Sequence, residues 1–164
     1  MDIEIVDDFM PVEVFKDFEN IFKEISWRMD KVLNNGVMCD AIDNFMFFHM
    51  FYTKFKPQSE LYFKYIEPLL FNMQIKSLIE IKANLTTRTE KIIKHGFHRD
   101  YKGVDNSFTS ILYLNTNDGY TEFENGTKVE SIENRLITFP VSYLHTGTTC
   151  TDKPFRSVIN FNYY

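Results

Sequence analysis

Cysteine is scarce in this chain. The two present, Cys39 and Cys150, are far apart and form no CxxC or zinc-ribbon spacing, which argues against a disulfide framework or a cysteine-bound structural zinc. Long apolar runs are missing as well, and none is long enough to cross a bilayer. The opening MDIEIVDDF is acidic, without the basic n-region and continuous apolar stretch of a signal peptide. Positive charge is in deficit: Lys and Arg number 18 against 23 Asp and Glu, for a net charge of -5. That balance repels phosphate backbones unless a local basic patch offsets it, so nucleic acid is not the expected partner. Internal repeats, low-complexity tracts and long linkers are absent too. These absences describe a soluble, cytoplasmic protein with reduced thiols and no membrane segment. They leave its oligomeric state open.

Among what is present, aromatics stand out at 16%, with 17 Phe. Phe and Tyr favour pleated, half-buried surfaces, which leans the chain toward β structure. Its 164 residues suffice for one domain with one core. We expect a single domain over 1–164, in which 1–76 is a supporting region of helices and strands and 77–164 is the core carrying the site. In the first part, 3–6 reads as a short strand. Val12, Phe15, Phe18, Phe22 and Ile25 recur at helical spacing and predict an amphipathic helix over 11–25, with Pro11 at its start. Residues 34–36 read as a turn and the aromatic run 45–52 as a buried strand. A second helix is expected over 59–67, with Pro68 kinking it or starting a further turn.

From residue 77 short β-rich runs alternate with turn signals, at 78–85, 92–98, 107–115, 120–124, 127–130, 135–139, 142–145 and 155–163. Asn117-Asp118-Gly119 and Asn125-Gly126 are good turn sequences between such runs. Eight short strands predict a mainly β fold, a jelly-roll or barrel-like double sheet with the N-terminal helices on its outer face.

The chemistry is expected at His98-Arg99-Asp100, at the end of a predicted strand. Residues two apart on an extended chain point to the same face, so this imidazole and carboxylate can reach one ion from one side. His145 supplies a third ligand from afar. Two histidines and one carboxylate make the facial triad of non-haem iron(II) oxygenases, which leaves further coordination positions open. Arg156 follows inside a β-rich run. Buried there, it needs an anionic partner, and a guanidinium fork suits a carboxylate.

Several pieces resemble, in order and spacing, the prolyl 4-hydroxylase-like branch of the 2-oxoglutarate/iron(II) dioxygenases. They are His98-Arg99-Asp100, Ile111-Leu112-Tyr113-Leu114-Asn115, Asp118-Gly119-Tyr120-Thr121-Glu122-Phe123, Asn134-Arg135-Leu136-Ile137-Thr138-Phe139-Pro140, His145 and Arg156 with its trailing strand. The match covers about 78–164, and the small format also resembles oxygenases of marine bacteriophages. The resemblance implies a double-stranded β-helix in which His98, Asp100 and His145 ligate iron(II). It implies that Arg156 pairs with the distal carboxylate of the cosubstrate 2-oxoglutarate, helped by the Tyr113 hydroxyl. The implied activity is hydroxylation with dioxygen, releasing succinate and carbon dioxide, with peptidyl proline as the substrate of the branch. A carboxylate at position 100 favours hydroxylation over halogenation, because related halogenases keep a small residue there. One departure is that many relatives carry a cosubstrate-binding tyrosine on the preceding strand, where this chain has Asn84 or Leu85.

The substrate, a small molecule or a peptide, is expected to meet the segment Thr86–Lys94. Arg88 and Lys91 there, with Arg99 beyond it, form a basic rim suited to an anion. His95 has no carboxylate at a useful offset and is not expected to touch metal. His49 and both cysteines are expected to pack. Two other readings stay open: a non-catalytic β-helix that binds metal or ligand, and a cupin-like zinc or manganese enzyme, the latter disfavoured by the small number of histidines.

Overall fold

A computed structural model describes residues 2–34, 37–38, 45–101 and 106–164. The first half of the chain contains β1 (Glu4–Val6), α1 (Val12–Glu19), α2 (Ile21–Glu24), β2 (Arg28–Lys31), β3 (Leu33–Asn34), β4 (Val37–Met38), β5 (Phe45–Thr53) and β6 (Lys56–Pro57). A π-helical turn, Tyr62–Ile66, then leads into α3 (Glu67–Leu70). The second half is almost all strand: β7 (Leu78–Thr87), β8 (Phe108–Tyr113), β9 (Tyr120–Phe123), β10 (Lys128–Glu130), β11 (Leu136–Pro140), β12 (His145–Gly147) and β13 (Phe155–Tyr163).

The large sheet runs in the order β1-β11-β8-β13-β7-β5-β2, with β6 on β5, and a smaller sheet runs β10-β9-β12. All the pairings are antiparallel. Alternation along the strands divides the molecule into two cores. Ile81 and Ala83 of β7, Leu112 of β8 and Ile159 and Phe161 of β13 turn outward and pack with Phe15, Phe18, Ile21 and Ile66 from the helical layer. Ile111 and Tyr113 of β8 and Val158 of β13 turn inward, against Phe123, Val129, Ile137 and Phe139. This is the expected double sheet with helices on one outer face. The N-terminal segment is fastened by Asn134, whose carboxamide donates to the Met10 carbonyl (2.7 Å) and accepts from the Met10 amide (2.9 Å).

Seven of the eight strands expected after residue 77 are found within a few residues. The exception is 92–98, which forms no strand and touches its neighbours through two isolated bridges, Lys94 to Thr148 and His98 to His145. The expected helix over 11–25 breaks at Asn20, the only residue between α1 and α2. Over 59–67 the backbone widens into the π turn just before Pro68, which lacks the N–H that would continue an α-helical ladder. Pro68 itself sits in the first turn of α3, where that lack costs nothing. The expected turn at 34–36 lies largely outside the described residues, as does Cys39. Among the described residues, no helix is long and apolar enough to cross a membrane.

Candidate functional site

His98 and His145 face each other across one antiparallel rung. Each backbone amide donates to the other's carbonyl, at 2.9 and 3.0 Å. Their side chains leave the rung together, with ring centroids 4.7 Å apart. Asp100, two residues beyond His98, returns to the same side. Its Oδ1 lies 3.5 Å from His98 Nε2 and 3.7 Å from His145 Nε2. One donor atom from each residue falls within 4.8 Å of the others, and these three residues are the one such group among the described residues.

The surroundings orient these atoms. His98 Nδ1 is 3.1 Å from the Gly96 carbonyl and His145 Nδ1 is 3.2 Å from that of Tyr143. A carbonyl only accepts, so each Nδ1 carries a proton and each Nε2 is the nitrogen left to bind a metal, which on His98 would displace the proton that Asp100 otherwise accepts. This is the tautomer that metal-ligating histidines are held in by their outer hydrogen bonds. Asp100 Oδ2 lies 3.2 Å from Thr109 Oγ1, which is itself 2.8 Å from the Asn162 carboxamide oxygen. Burial opposes the charge on Asp100, but the hydrogen bond to His98 and the nearby imidazoles outweigh it and hold the carboxyl below the usual carboxylate range. Burial also lowers His145, favouring the neutral ring. His98 is raised: burial works against its charge, but the hydrogen bond and charge of Asp100 prevail. A carboxylate held ionised beside two converging imidazole Nε2 atoms fits a divalent metal. The one-sided placement of the donors leaves room for other ligands.

The three residues border a cavity of about 380 Å³ between the sheets. At another part of its wall lies Arg156, which is only 6% exposed. Its Nε donates to Ser131 Oγ (2.8 Å) and its Nη2 to Thr121 Oγ1 (3.1 Å). The guanidinium carbon sits 5.6 Å from the centre of the Tyr113 ring. Both hydrogen-bond partners are neutral, and no carboxylate among the described residues pairs with Arg156. Two glycines make room for it. A Cβ at Gly119 would come within 2.7 Å of Arg156 Cδ and of the Thr149 carbonyl, and one at Gly147 within 3.4 Å of Arg156 Nη1.

Other expected residues stand elsewhere. Tyr113 is fully buried behind Arg156, its hydroxyl donating to Thr121 Oγ1 (2.7 Å), and it does not line the cavity. Arg88 and Arg99 are exposed and spend their Nε groups on the Thr151 and Ser142 carbonyls, both at 2.7 Å. Lys91 is exposed. None of these three lines the cavity. Their segment lies along residues 147–154: Arg88, Thr89 and His95 donate backbone hydrogen bonds to Pro154, Cys150 and Gly147. Of the two residues considered on the preceding strand, Asn84 faces the cavity and Leu85 does not. His49 stays outside the site, with Nδ1 on the Ser26 carbonyl (3.1 Å), and Cys150 is buried.

Several lining residues carry no motif. Glu80, Lys82, Asn84 and Thr86 form the inward face of β7, and His95 and Asn160 join them. Met46, Phe48 and Met50 of β5 form an apolar wall, so the first half of the chain contributes to the site as well as bracing it. The one available signal was alternation, with Ile81 and Ala83 buried between polar neighbours. A wider depression of about 580 Å³, lined by Phe18, Lys64, Tyr65 and Leu69, brings together no triad of metal-ligating side chains.

No family model and no curated protein matches the chain in sequence. Solved structures do match. A prolyl hydroxylase from Trichoplax adhaerens, in complex with a hypoxia inducible factor oxygen degradation domain peptide fragment, superposes with a TM-score of 0.69 at 14% identity, covering 98% of this chain and 83% of that one. A 2OG-Fe(II) oxygenase family oxidoreductase from Burkholderia pseudomallei gives 0.72 at 10% identity, covering 98% and 84%. HygX from Streptomyces hygroscopicus, solved with nickel and 2-oxoglutarate bound, gives 0.62 at 8% identity, covering 98% and 82%. At such identities the likeness is one of backbone, and what it establishes is that this chain has the double-stranded β-helix fold of the 2-oxoglutarate/iron(II) oxygenases, prolyl hydroxylases among them.

Proposed function

We propose that the protein is an iron(II)- and 2-oxoglutarate-dependent dioxygenase that hydroxylates its substrate. The observation that carries this reading is a single cavity bordered by a His-Asp-His donor set and by a buried arginine without an acidic partner. Two neutral hydroxyls do not compensate a buried guanidinium, and a dicarboxylate would. In this reading residues 77–164 carry the metal and cosubstrate anchors, and 1–76 brace them and form part of the wall.

His98, Asp100 and His145 would hold the metal, and Arg156 would take the distal carboxylate of 2-oxoglutarate. Bound iron(II) with 2-oxoglutarate and dioxygen supplies the oxidation, in which a substrate C–H becomes C–OH while succinate and carbon dioxide leave. The chain does the rest. Gly96 and Tyr143 hold the two imidazoles in the tautomer that leaves Nε2 free. Thr109 orients Asp100 through the oxygen that faces away from the histidines. Tyr113 and Thr121 act as positioning residues for Arg156. Ile111, Val158 and Met46 line the cavity with apolar surface that limits water around the reacting groups. Likeness to the peptide-bound prolyl hydroxylase points, taken by itself, to peptidyl proline as the substrate.

The test is an anaerobic titration of metal-free protein with iron(II), then with 2-oxoglutarate, followed by the visible charge-transfer absorbance of the chelate. A band saturating near one equivalent is expected. His98→Ala and Asp100→Ala should lose it while keeping the wild-type circular dichroism. A folded wild type that binds iron yet forms no band with 2-oxoglutarate would refute the reading and favour a metal-binding module.

A further inference from the structure

This inference rests on the oxygenase reading and concerns what the enzyme acts on. β7 sets Thr86 opposite Arg156 and Lys82 opposite Asn160. Thr86 and Lys82 are four residues apart on one face, about 13 Å at roughly 3.3 Å per residue. The cavity is thus lined by two well-separated cations of β7 and β13. The distal carboxylate of the cosubstrate accounts for Arg156 and leaves Lys82 unexplained. Lys82 makes no hydrogen bond and no ion pair among the described residues. It belongs to the metal side of the cavity: its rung partner Asn160 lies two residues, on the same face of β13, from Asn162, which contacts the Thr109 that holds Asp100.

Its neighbours narrow the ligand. Asn84 and Asn160 line the cavity, and the carboxamide oxygen of each is buried without a hydrogen-bond partner. A half-turn of such a group exchanges oxygen and nitrogen, so each amide can offer a donor or an acceptor. Register places Phe48 of β5 beside Asn84 and Met50 beside Lys82, giving the same spot an apolar wall. Glu80 and Asp30 also line the cavity, as does Lys31, the chain neighbour of Asp30. Glu80, two residues from Lys82 on the same face of β7, would repel a second negative charge there, which favours a monoanion over a phosphate.

We propose that Lys82 binds the carboxylate of a small organic acid, that Asn84 and Asn160 meet a polar group beside that carboxylate, and that Phe48 and Met50 receive the apolar remainder. The substrate class is then a free amino or hydroxy acid, in place of the peptidyl proline that likeness alone suggests, whose α-carboxyl is tied up as an amide.

Pentanoate and its neutral counterpart pentanamide test this by calorimetric titration. Each is titrated into protein loaded with manganese(II) and 2-oxoglutarate, and into metal-free protein. A hydrogen bond to a charged group corresponds to about tenfold in affinity or more. Wild type should therefore prefer pentanoate by about tenfold. Lys82→Met should abolish the preference and Lys82→Arg should keep it. A wild-type unfolding midpoint in both variants separates loss of the anion site from loss of fold. Equal binding of acid and amide by wild type, or a preference that survives in Lys82→Met, overturns the proposal. Failure of the oxygenase reading has a different signature: wild type forms no iron–2-oxoglutarate band, while its acid preference in the metal-free form still depends on Lys82.

Discussion

Replacing Arg156 by Met should move stability and cosubstrate affinity in unrelated ways. Without ligand, the substitution removes two hydrogen bonds to the Ser131 and Thr121 hydroxyls and a contact with the Tyr113 ring. Hydrogen bonds from a charged donor contribute about 1.5–3 kcal/mol each, and a cation over a ring about 0.5–2. Against that, burying an uncompensated guanidinium costs several kcal/mol, and Met does not incur it. The two sides nearly cancel. We expect the ligand-free variant to unfold within about 2 kcal/mol of wild type, or about 4–8 °C for a chain of this size. An arginine paired with a protein carboxylate would behave otherwise, because breaking a buried pair costs about 3–5 kcal/mol. Cosubstrate binding should suffer more: truncating one partner of a buried charged pair costs about 3 kcal/mol, a weakening of about a hundredfold. The assay is thermal unfolding of manganese(II)-loaded protein with and without 2-oxoglutarate. At a concentration 100 times its Kd the ligand should stabilise wild type by about 2.7 kcal/mol and the variant hardly at all. A ligand-free variant destabilised like a broken ion pair, or an undiminished ligand shift, would refute the argument that Arg156 awaits an anion.

Gly119→Ala should also reach the cosubstrate end, because its Cβ would press on Arg156 Cδ and on the rigid Thr149 carbonyl at 2.7 Å. We expect a loss of about 1–3 kcal/mol, seen in the denaturation midpoint, together with weaker 2-oxoglutarate binding; a neutral outcome would contradict the packing described. Acid should destabilise the metal-free protein through His95. Its folded pKa is pushed down to about 4, by burial first and then by the charges of Arg156 and His98. Between about pH 6.5 and 4 the unfolded chain takes up a proton that the folded one refuses, so stability falls as pH falls across that window, by up to about 3 kcal/mol. His95→Gln should flatten that part of the curve of unfolding midpoint against pH, and an unchanged slope would count against it.

The parts of the site legible in the sequence were those with few chemical alternatives. His98, Asp100 and His145 could be singled out because few side-chain types bind iron, and Arg156 because a charge inside a β-rich run demands a partner. β13 was found over the expected 155–163 because its apolar content is dense. The inward face of β7 was not legible. Lys82, Asn84 and Thr86 alternate with Ile81, Ala83 and Leu85 just as they would on a strand with one face in water. Only the fold reveals that this polar face is enclosed, because Thr121 of β9 and His145 and Gly147 of β12, in the smaller sheet, close the cavity across from it. The resemblance put the Tyr113 hydroxyl on the cosubstrate carboxylate, but sequence could not show that this hydroxyl donates to Thr121. Arg88, Lys91 and Arg99 illustrate the reverse case: a loop has no periodicity, so nothing in the sequence says which way its cations point.

The rung formed by His98 and His145 joins positions 47 residues apart (145 − 98) through two backbone hydrogen bonds. An ion held by both side chains would act as a reversible cross-link across the same rung. Opening of that rung would then be coupled to metal release, and the amide protons of His98 and His145 should exchange with solvent more slowly once metal is added. Deuterium uptake at these two amides would thus report occupancy without any substrate or turnover, and uptake indifferent to metal would break the link. Where the coupling holds, iron supply governs how long the folded chain resists unfolding and proteolysis as well as whether it is active.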